Sequence, residues 1–343
     1  MNADGTDPTV IELDGLTKCY GDLLAVDHLS LKIEKGEVFG LLGPNGAGKT
    51  TTIRMLVGLS RPSEGTARIW GHDIRTAATE AKGHIGVVPD VSNLYGELSG
   101  YDNLVFMAQL YGMPKRDWKE RAGSLLREVG LYERKDDRFA SYSRGMKRRL
   151  TIAAALMHDP EVTFFDEPTT GLDVASARGL RSLIQQLHAQ GKTVFLTTHY
   201  IEEADQLCSR IAILVQGAIK IVDTPAALKE HSRGDAVLEV TLAGGTENAL
   251  EQLRTLNAVE GASSSNGTSS PEQRRRIRLI VSRIEEAVPQ VVGMAQERGW
   301  KISQIHSVMP SLEDAFVKLT GLDAEIMKAD IPHPMEKPQG GAR

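Results

Sequence analysis

The chain has 343 residues, room for two domains of ordinary size. Hydrophobic residues make up 41% and charged residues 25%, near the averages of folded globular chains, which excludes wholesale disorder and fibrous repeats. The 40 Lys and Arg against 45 Asp and Glu leave a net charge of -5, so no broad positive field recruits nucleic acid or an anionic bilayer, and no nucleic-acid partner is expected.

Two cysteines, Cys19 and Cys208, are too few for a disulfide framework, and neither has another cysteine at metal-ligand spacing. A reducing, cytoplasmic setting is expected. The opening MNADGTDPTV lacks the basic start and apolar stretch of a secretion signal, and no charge-free apolar run approaches the ~20 residues that span a bilayer. Any membrane role is therefore expected to run through a partner.

In chain order, residues 1–8 are expected to be a disordered N-terminus and 323–343 a flexible tail, both being rich in Pro, Gly and charge. Between 9 and 230, β-type runs at 38–42, 85–88, 162–165, 194–197 and 210–215 alternate with amphipathic segments of helix length. That alternation predicts an α/β layered domain. After about 232 the texture changes to AVLEVTL, NALEQLRTL, a strand near Val259, RRRIRLIVS, EEAVPQVVGMAQERG, WKISQIHSV and a closing helix SLEDAFVKL. This order predicts a small α+β ferredoxin-like unit over 232–322. Residues 261–273, GASSSNGTSSPEQ, are expected to form a Ser/Gly-rich surface loop inside it. Arg274, Arg275, Arg276 and Arg278 read as a solvated strand edge, because residues 232–320 hold 10 basic and 11 acidic side chains and present no net positive field.

The most informative stretch is VFGLLGPNGAGKTTTIRML, an apolar strand, a glycine loop and a helix in which Gly43, Gly48, Lys49 and Thr50 fit the G-x-x-x-x-G-K-[ST] phosphate loop. Gly43, Gly46 and Gly48 let the backbone turn tightly so that successive amides face inward, and the helix N-terminus adds its positive end. Pro44, Asn45, Ala47 and Thr51 complete the candidate nucleotide-binding segment. Lys49 is expected at the β- and γ-phosphates and Thr50 at a magnesium ion. Further on, VTFFDEP places two carboxylates at a strand end. In-line attack on a γ-phosphorus needs a metal carboxylate and a base near the water, so Asp166 is assigned to the metal and Glu167 to the base.

With these motifs in place, residues 10–225 resemble the ATP-binding-cassette (ABC) ATPases. SYSRGMKRR resembles the family's signature sequence, with Ser143 and Gly145 in the expected places and Arg144 and Met146 where the commonest form has Gly and Gln. Gly171, Leu172 and Asp173 match its D-loop, His199 its switch histidine and Tyr20 the aromatic that stacks on adenine. The resemblance implies a P-loop NTPase fold of the ABC type, with a helical subdomain at about 90–155 that carries the signature and meets the membrane protein through 95–111. It implies ATP and Mg2+ as cofactors, and a head-to-tail dimer in which Ser143 and Gly145 of one chain complete the site of another. His199 would act by hydrogen bonding, since no second His or Cys lies at ligand spacing. Where the family usually has Gln, this chain has Asp90, which either ligates magnesium directly or sits too far back and leaves coupling to Asn93 or Tyr95.

The closing helix SLEDAFVKLTG resembles the accessory unit of daunorubicin-resistance-type exporters. The implied function is the ATP-hydrolysing subunit of an exporter of drug, lipid or ion, working through separate transmembrane permease subunits at the cytoplasmic face of a prokaryotic membrane, with a homodimer as the simplest pairing. The alternative is a non-transport cassette ATPase acting on ribosomes or DNA. It is disfavoured by a single cassette and the absence of a heptad run between Lys49 and Ser143. A third reading makes the C-terminal unit a small-ligand sensor that switches the ATPase.

Overall fold

The computed structural model describes residues 8–230, 236–243, 248–265, 274–308, 310–322 and 327. The expected disordered N-terminus, apart from residue 8, and the expected tail, apart from residue 327, lie outside the described residues. Contacts group the rest into two units. One holds the described chain through Leu42 with Ala47–Thr198 and Gln206–Ile219; the other holds Gly43–Gly46, His199–Asp205 and the described chain from Lys220 on. The change of unit at Lys220 comes earlier in the chain than the change of sequence texture at about 232.

In the first unit, β1 (Thr9–Tyr20) and β2 (Leu23–Glu34) pair antiparallel, with Leu13 opposite Leu31. Leu29, Leu31 and Ile33 of β2 are buried while Ser30, Lys32 and Glu34 are exposed, the period-2 pattern of a one-sided sheet. The next strand, β3 (Val38–Leu42), is buried at every residue, and α1 (Lys49–Leu56) follows the glycine loop. β4 (Glu64–Ile69) and β5 (His72–Asp73) complete an antiparallel sheet of order β2-β1-β4-β5.

After α2 (Ala78–Gly83) and β6 (Ile85–Val88) come three helices, α3 (Gly100–Leu110), α4 (Lys115–Glu128) and α5 (Arg144–Ala155). Asn103 of α3 is fully buried and donates to the carbonyls of Tyr95 and Ser99, each at 3.0 Å, while accepting from the Tyr95 amide at 2.9 Å. It fixes the chain that enters this region. Then follow β7 (Val162–Asp166), α6 (Val174–Ala189), β8 (Thr193–Thr198), α7 (Ile201–Leu207), β9 (Arg210–Val215) and β10 (Ala218–Asp223).

The second sheet has the order β10-β9-β3-β8-β7-β6, and β9, β3, β8, β7 and β6 pair in parallel. Strands covered on both faces read as near-continuous apolar runs, and β7 and β8 are buried along their whole length, with Thr163, Asp166, Thr193, Thr197 and Thr198 as their polar members. Phe39, Phe164 and Phe195 form the centre, with ring centroids 5.7 and 5.4 Å apart. Leu42 lies opposite Thr198 and Asp166 opposite Thr197, so β3, β8 and β7 end level. Loops at such carboxyl ends are where parallel sheets bind ligands.

The second unit contains α8 (Pro225–Glu230), β11 (Ala236–Ala243), α9 (Ala249–Leu253), β12 (Val259–Ser265), β13 (Arg274–Val281), α10 (Ile284–Arg298), β14 (Lys301–Val308) and α11 (Leu312–Thr320). The sheet order is β12-β13-β11-β14, antiparallel throughout. Leu238, Val240, Leu242, Ile277 and Leu279 pack with Ala287 and Val291 of α10. Val237 and Ile280 take Val317 of α11, and Ile201 packs against them.

Two expectations are corrected here. Residues 261–265 are strand, because β12 pairs with β13 from Val259 to Ser265 in spite of its Ser/Gly composition; 266–273 lie outside the described residues. The arginine run is not at an edge, since β13 sits between β12 and β11. Arg278 donates Nε and Nη2 to the two carboxylate oxygens of Asp314, at 3.1 and 2.7 Å, and Asp314 also accepts from the amide and hydroxyl of Ser311 to cap α11. Asp314 is 1% exposed. Removing one partner of such a pair leaves a buried charge, so Asp314→Ala is expected to destabilise this unit by about 3–5 kcal/mol. Urea unfolding followed by circular dichroism measures it, and an unchanged midpoint would mean that the pair is dispensable.

Candidate active site

The glycine loop leaves β3 and turns with Gly46 at φ +78° and Gly48 at φ +103°. A Cβ on Gly48 would lie 2.5 Å from the Ala25 carbonyl oxygen, so only glycine fits both the dihedral and the space. Gly48 caps α1 without a side-chain hydrogen bond, and the first turn carries no acidic residue. No acidic side chain of the first turn offsets the positive end of that helix, an arrangement that favours anions. Thr51, half-buried, sits in the same first turn.

Asp166, at the end of β7, is 7% exposed, and its Oδ1 accepts from the hydroxyls of Thr50 at 3.0 Å and Thr197 at 2.7 Å. Burial pushes the Asp166 carboxyl above its ordinary pKa; the two hydroxyls oppose this, and the nearby charges of Glu167 and Asp90 add to it. Lys49 Nζ lies 3.1 Å from Glu167 Oε1, with the two side chains 5% and 13% exposed. Glu167 has φ +47°, a left-handed conformation that costs a non-glycine residue of order 1 kcal/mol or more. It is held there by its amide donating to the Thr197 carbonyl at 3.2 Å and hydroxyl at 3.1 Å, and by Thr170 Oγ1 at 3.3 Å from Oε2.

Among the described residues no three His, Cys, Asp or Glu side chains gather as a metal site. The donor set is a hydroxyl and a carboxylate, Thr50 and Asp166, under the added negative field of two more carboxylates. This fits Mg2+, which takes one or two protein oxygens and fills its octahedron with water and phosphate oxygens. Asp90 itself is exposed, and its carbonyl accepts from Arg148 Nη1 at 3.1 Å.

A second cluster joins the signature to the D-loop. Ser143 caps α5, its Oγ accepting from the Met146 amide at 3.3 Å. Arg144 Nη1 donates to the Gly171 carbonyl at 2.7 Å. Gly145 approaches α6 so closely that a Cβ would lie 2.4 Å from Ser176 Oγ. Asp173 caps α6 by accepting from the amide and hydroxyl of Ser176 at 2.9 and 2.7 Å, which lowers its pKa. Tyr20 is 47% exposed with Lys18 Nζ 5.0 Å above its ring. In the second unit, Gly43, Pro44, Asn45 and Gly46 carry the start of the glycine loop, and the His199 ring packs 4.0 Å from that of Tyr200.

Sequence reasoning missed Thr197 as the second hydroxyl on Asp166, and it missed Arg148. Arg148 shares a helix face with Gly145, Ile152 and Ala155, all buried. An arginine on an apolar stripe was the available signal.

A phosphate loop whose lysine and threonine meet a strand-end Asp-Glu pair defines a P-loop nucleotide hydrolase. A family model described as ABC transporter matches residues 26–170. The chain is 38% identical to a Nod factor export ATP-binding protein I of Rhizobium sp. (strain N33), with 92% of this chain and 98% of that protein covered. It is also 38% identical to the daunorubicin/doxorubicin resistance ATP-binding protein of Streptomyces peucetius, with 93% and 95% covered. The dimeric, post-hydrolysis structure of an ATP-binding cassette bound to ADP and Pi superposes with a TM-score of 0.57 at 27% identity, covering 62% of this chain and 98% of that one. The chain belongs to the ABC transporter ATPase family, resembling its drug-resistance exporters, and is an ATP-binding, Mg2+-dependent ATPase.

The raised pKa of Asp166 sets a stability signature. A carboxyl whose folded pKa exceeds its unfolded value binds more protons when folded, so stability falls as pH rises from the ordinary carboxylate pKa through the raised one. Asp166→Asn keeps the Oδ1 acceptor and removes the charge. In nucleotide- and magnesium-free buffer it is expected to melt higher than wild type at pH 7, with the gain shrinking towards pH 4; an equal or lower melting temperature at pH 7 would contradict the electrostatic account.

Proposed function

We propose that this chain is the energy-coupling ATPase of an exporter, driving separate membrane permease subunits from the cytoplasmic face of a prokaryotic membrane as a homodimer. The observation that carries the reading is the convergence of Lys49, Thr50, Asp166 and Glu167 at the level ends of β3, β8 and β7. The relatives named for Nod factor export and drug resistance, matched over nearly their whole length, support export. Among the described residues no helix is long and apolar enough to cross a membrane, in keeping with a separate permease. Nothing favours nucleic acid as a partner.

On this reading the amides of residues 43–48 cradle the β- and γ-phosphates, with Lys49 exchanging its contact to Glu167 for phosphate oxygens. Pro44, Asn45, Ala47 and Thr51 shape the cradle, and Tyr20 stacks on adenine, a contact worth about 1 kcal/mol. Thr50 and Asp166 would hold Mg2+, which supplies charge neutralisation at the phosphates when bound. Glu167 accepts the proton of the attacking water, and His199 donates a hydrogen bond towards the γ-phosphate. Ser143 and Gly145 present the N-terminus of α5 to the nucleotide of a second chain, and Asp173 lies at the dimer face, where Val174 is 75% exposed. Asp90 stands near enough to Asp166 to raise its pKa, which supports a place at the magnesium or its water. Tyr95 and Leu110, 51% and 63% exposed on the helical region, support that region as the permease contact.

Light scattering with size exclusion tests the cycle. Glu167→Gln is expected to lose about 10²–10⁴-fold in turnover and to form a dimer only with ATP and Mg2+, while Lys49→Ala loses ATP binding. A Glu167→Gln protein that turns over at the wild-type rate would sink the base assignment. Asp90→Asn is expected to lower turnover and its magnesium dependence, and an unchanged rate would remove Asp90 from the site.

A further inference from the structure

Arg148 is 8% exposed, and every N–H of its guanidinium is spent on a main-chain carbonyl. Nε donates to Pro168 at 2.9 Å, Nη2 to Asp166 at 3.0 Å and Glu167 at 3.2 Å, and Nη1 to Asp90 at 3.1 Å and to Pro89. A guanidinium has five N–H donors in a rigid fork, so the set is saturated. Three of the acceptors are consecutive carbonyls around Glu167, the residue in the left-handed conformation. The other two belong to the segment that leaves β6 and leads to the helical region. Ser92 Oγ, 2.7 Å from Thr151 Oγ1, fastens the same segment to α5 a turn further along.

We propose that Arg148 is a positioning residue that makes one mechanical body of residues 89–90, the Glu167 turn and α5. A rigid fork that holds both loops by their carbonyls cannot move with one and leave the other. Displacement of the segment entering the helical region therefore changes the aim of the Glu167 carboxylate, and rotation of α5 does the same from the Ser143 end. The inference rests on Glu167 being the base, and it specifies how that base is kept in a strained conformation and through which side chain its position is regulated. Arg148 touches no reacting atom in this scheme.

The first test needs no substitution. In the wild-type full chain, amide hydrogen exchange at 90–92 and at 167–170 is expected to respond to ATP and Mg2+ with one shared nucleotide dependence; a response confined to 167–170 overturns the proposal. Arg148→Lys keeps the charge but offers one nitrogen in place of the fork. It is expected to lower kcat at least about tenfold with ATP affinity within about twofold of wild type, to keep ATP-driven dimerisation in the Glu167→Gln background, and to uncouple exchange in the two segments. Unchanged kcat, or parallel loss of kcat, ATP affinity and melting temperature, overturns it. If Glu167→Gln turns over at the wild-type rate, the base assignment fails, and the exchange result still decides whether Arg148 binds the two loops together.

Discussion

Asp166 is a carboxylate held in a nearly dry position at the end of β7, and the arrangement of the parallel sheet's ligand edge depends on it. Two hydroxyls from different elements, Thr50 of α1 and Thr197 of β8, converge on the same Oδ1. A buried carboxylate is tolerated only when its lone pairs are filled, and here the filling groups tie α1 and two strands to one oxygen. The same burial that disfavours the ionised carboxylate would make the position attractive to a divalent cation. Stability of the ligand-free chain and readiness for the metal are thus opposed at one residue, a common property of sites tuned for function.

Around that point the first unit uses close backbone approach where side chains would intrude. Gly48 fits under the Ala25 carbonyl, and Gly145 lets α5 meet the first turn of α6. Both glycines stand at helix starts whose amides face an anion in the proposed cycle. Close packing and anion binding draw on the same absence of a Cβ. The D-loop is held on the other side by Arg144, so one of the two residues that depart from the commonest signature makes a contact of its own.

Much of the site was legible because phosphate chemistry fixes residue type and spacing together: a strand, glycines and Lys49–Thr50 opening a helix have few other uses. Arg148, Thr197 and Asn103 were not legible. Each satisfies main-chain or carboxylate groups of a loop or strand end whose path no periodicity encodes. The arginine run on β13 misled for a related reason. Whether a strand is central or at an edge is decided by chain topology, and the partner of Arg278 lies 36 residues away on α11. Residues 261–265 show the same limit, since a neighbour across the sheet can recruit serine and glycine into a strand that composition alone would leave as loop.

The ion pair between Lys49 and Glu167 has a consequence for economy in the cell. With Lys49 Nζ 3.1 Å from Glu167 Oε1, the two side chains occupy one another in the ligand-free chain. On the proposed function, triphosphate oxygens that draw Lys49 away also free the Glu167 carboxylate, so the substrate would arm the group that consumes it.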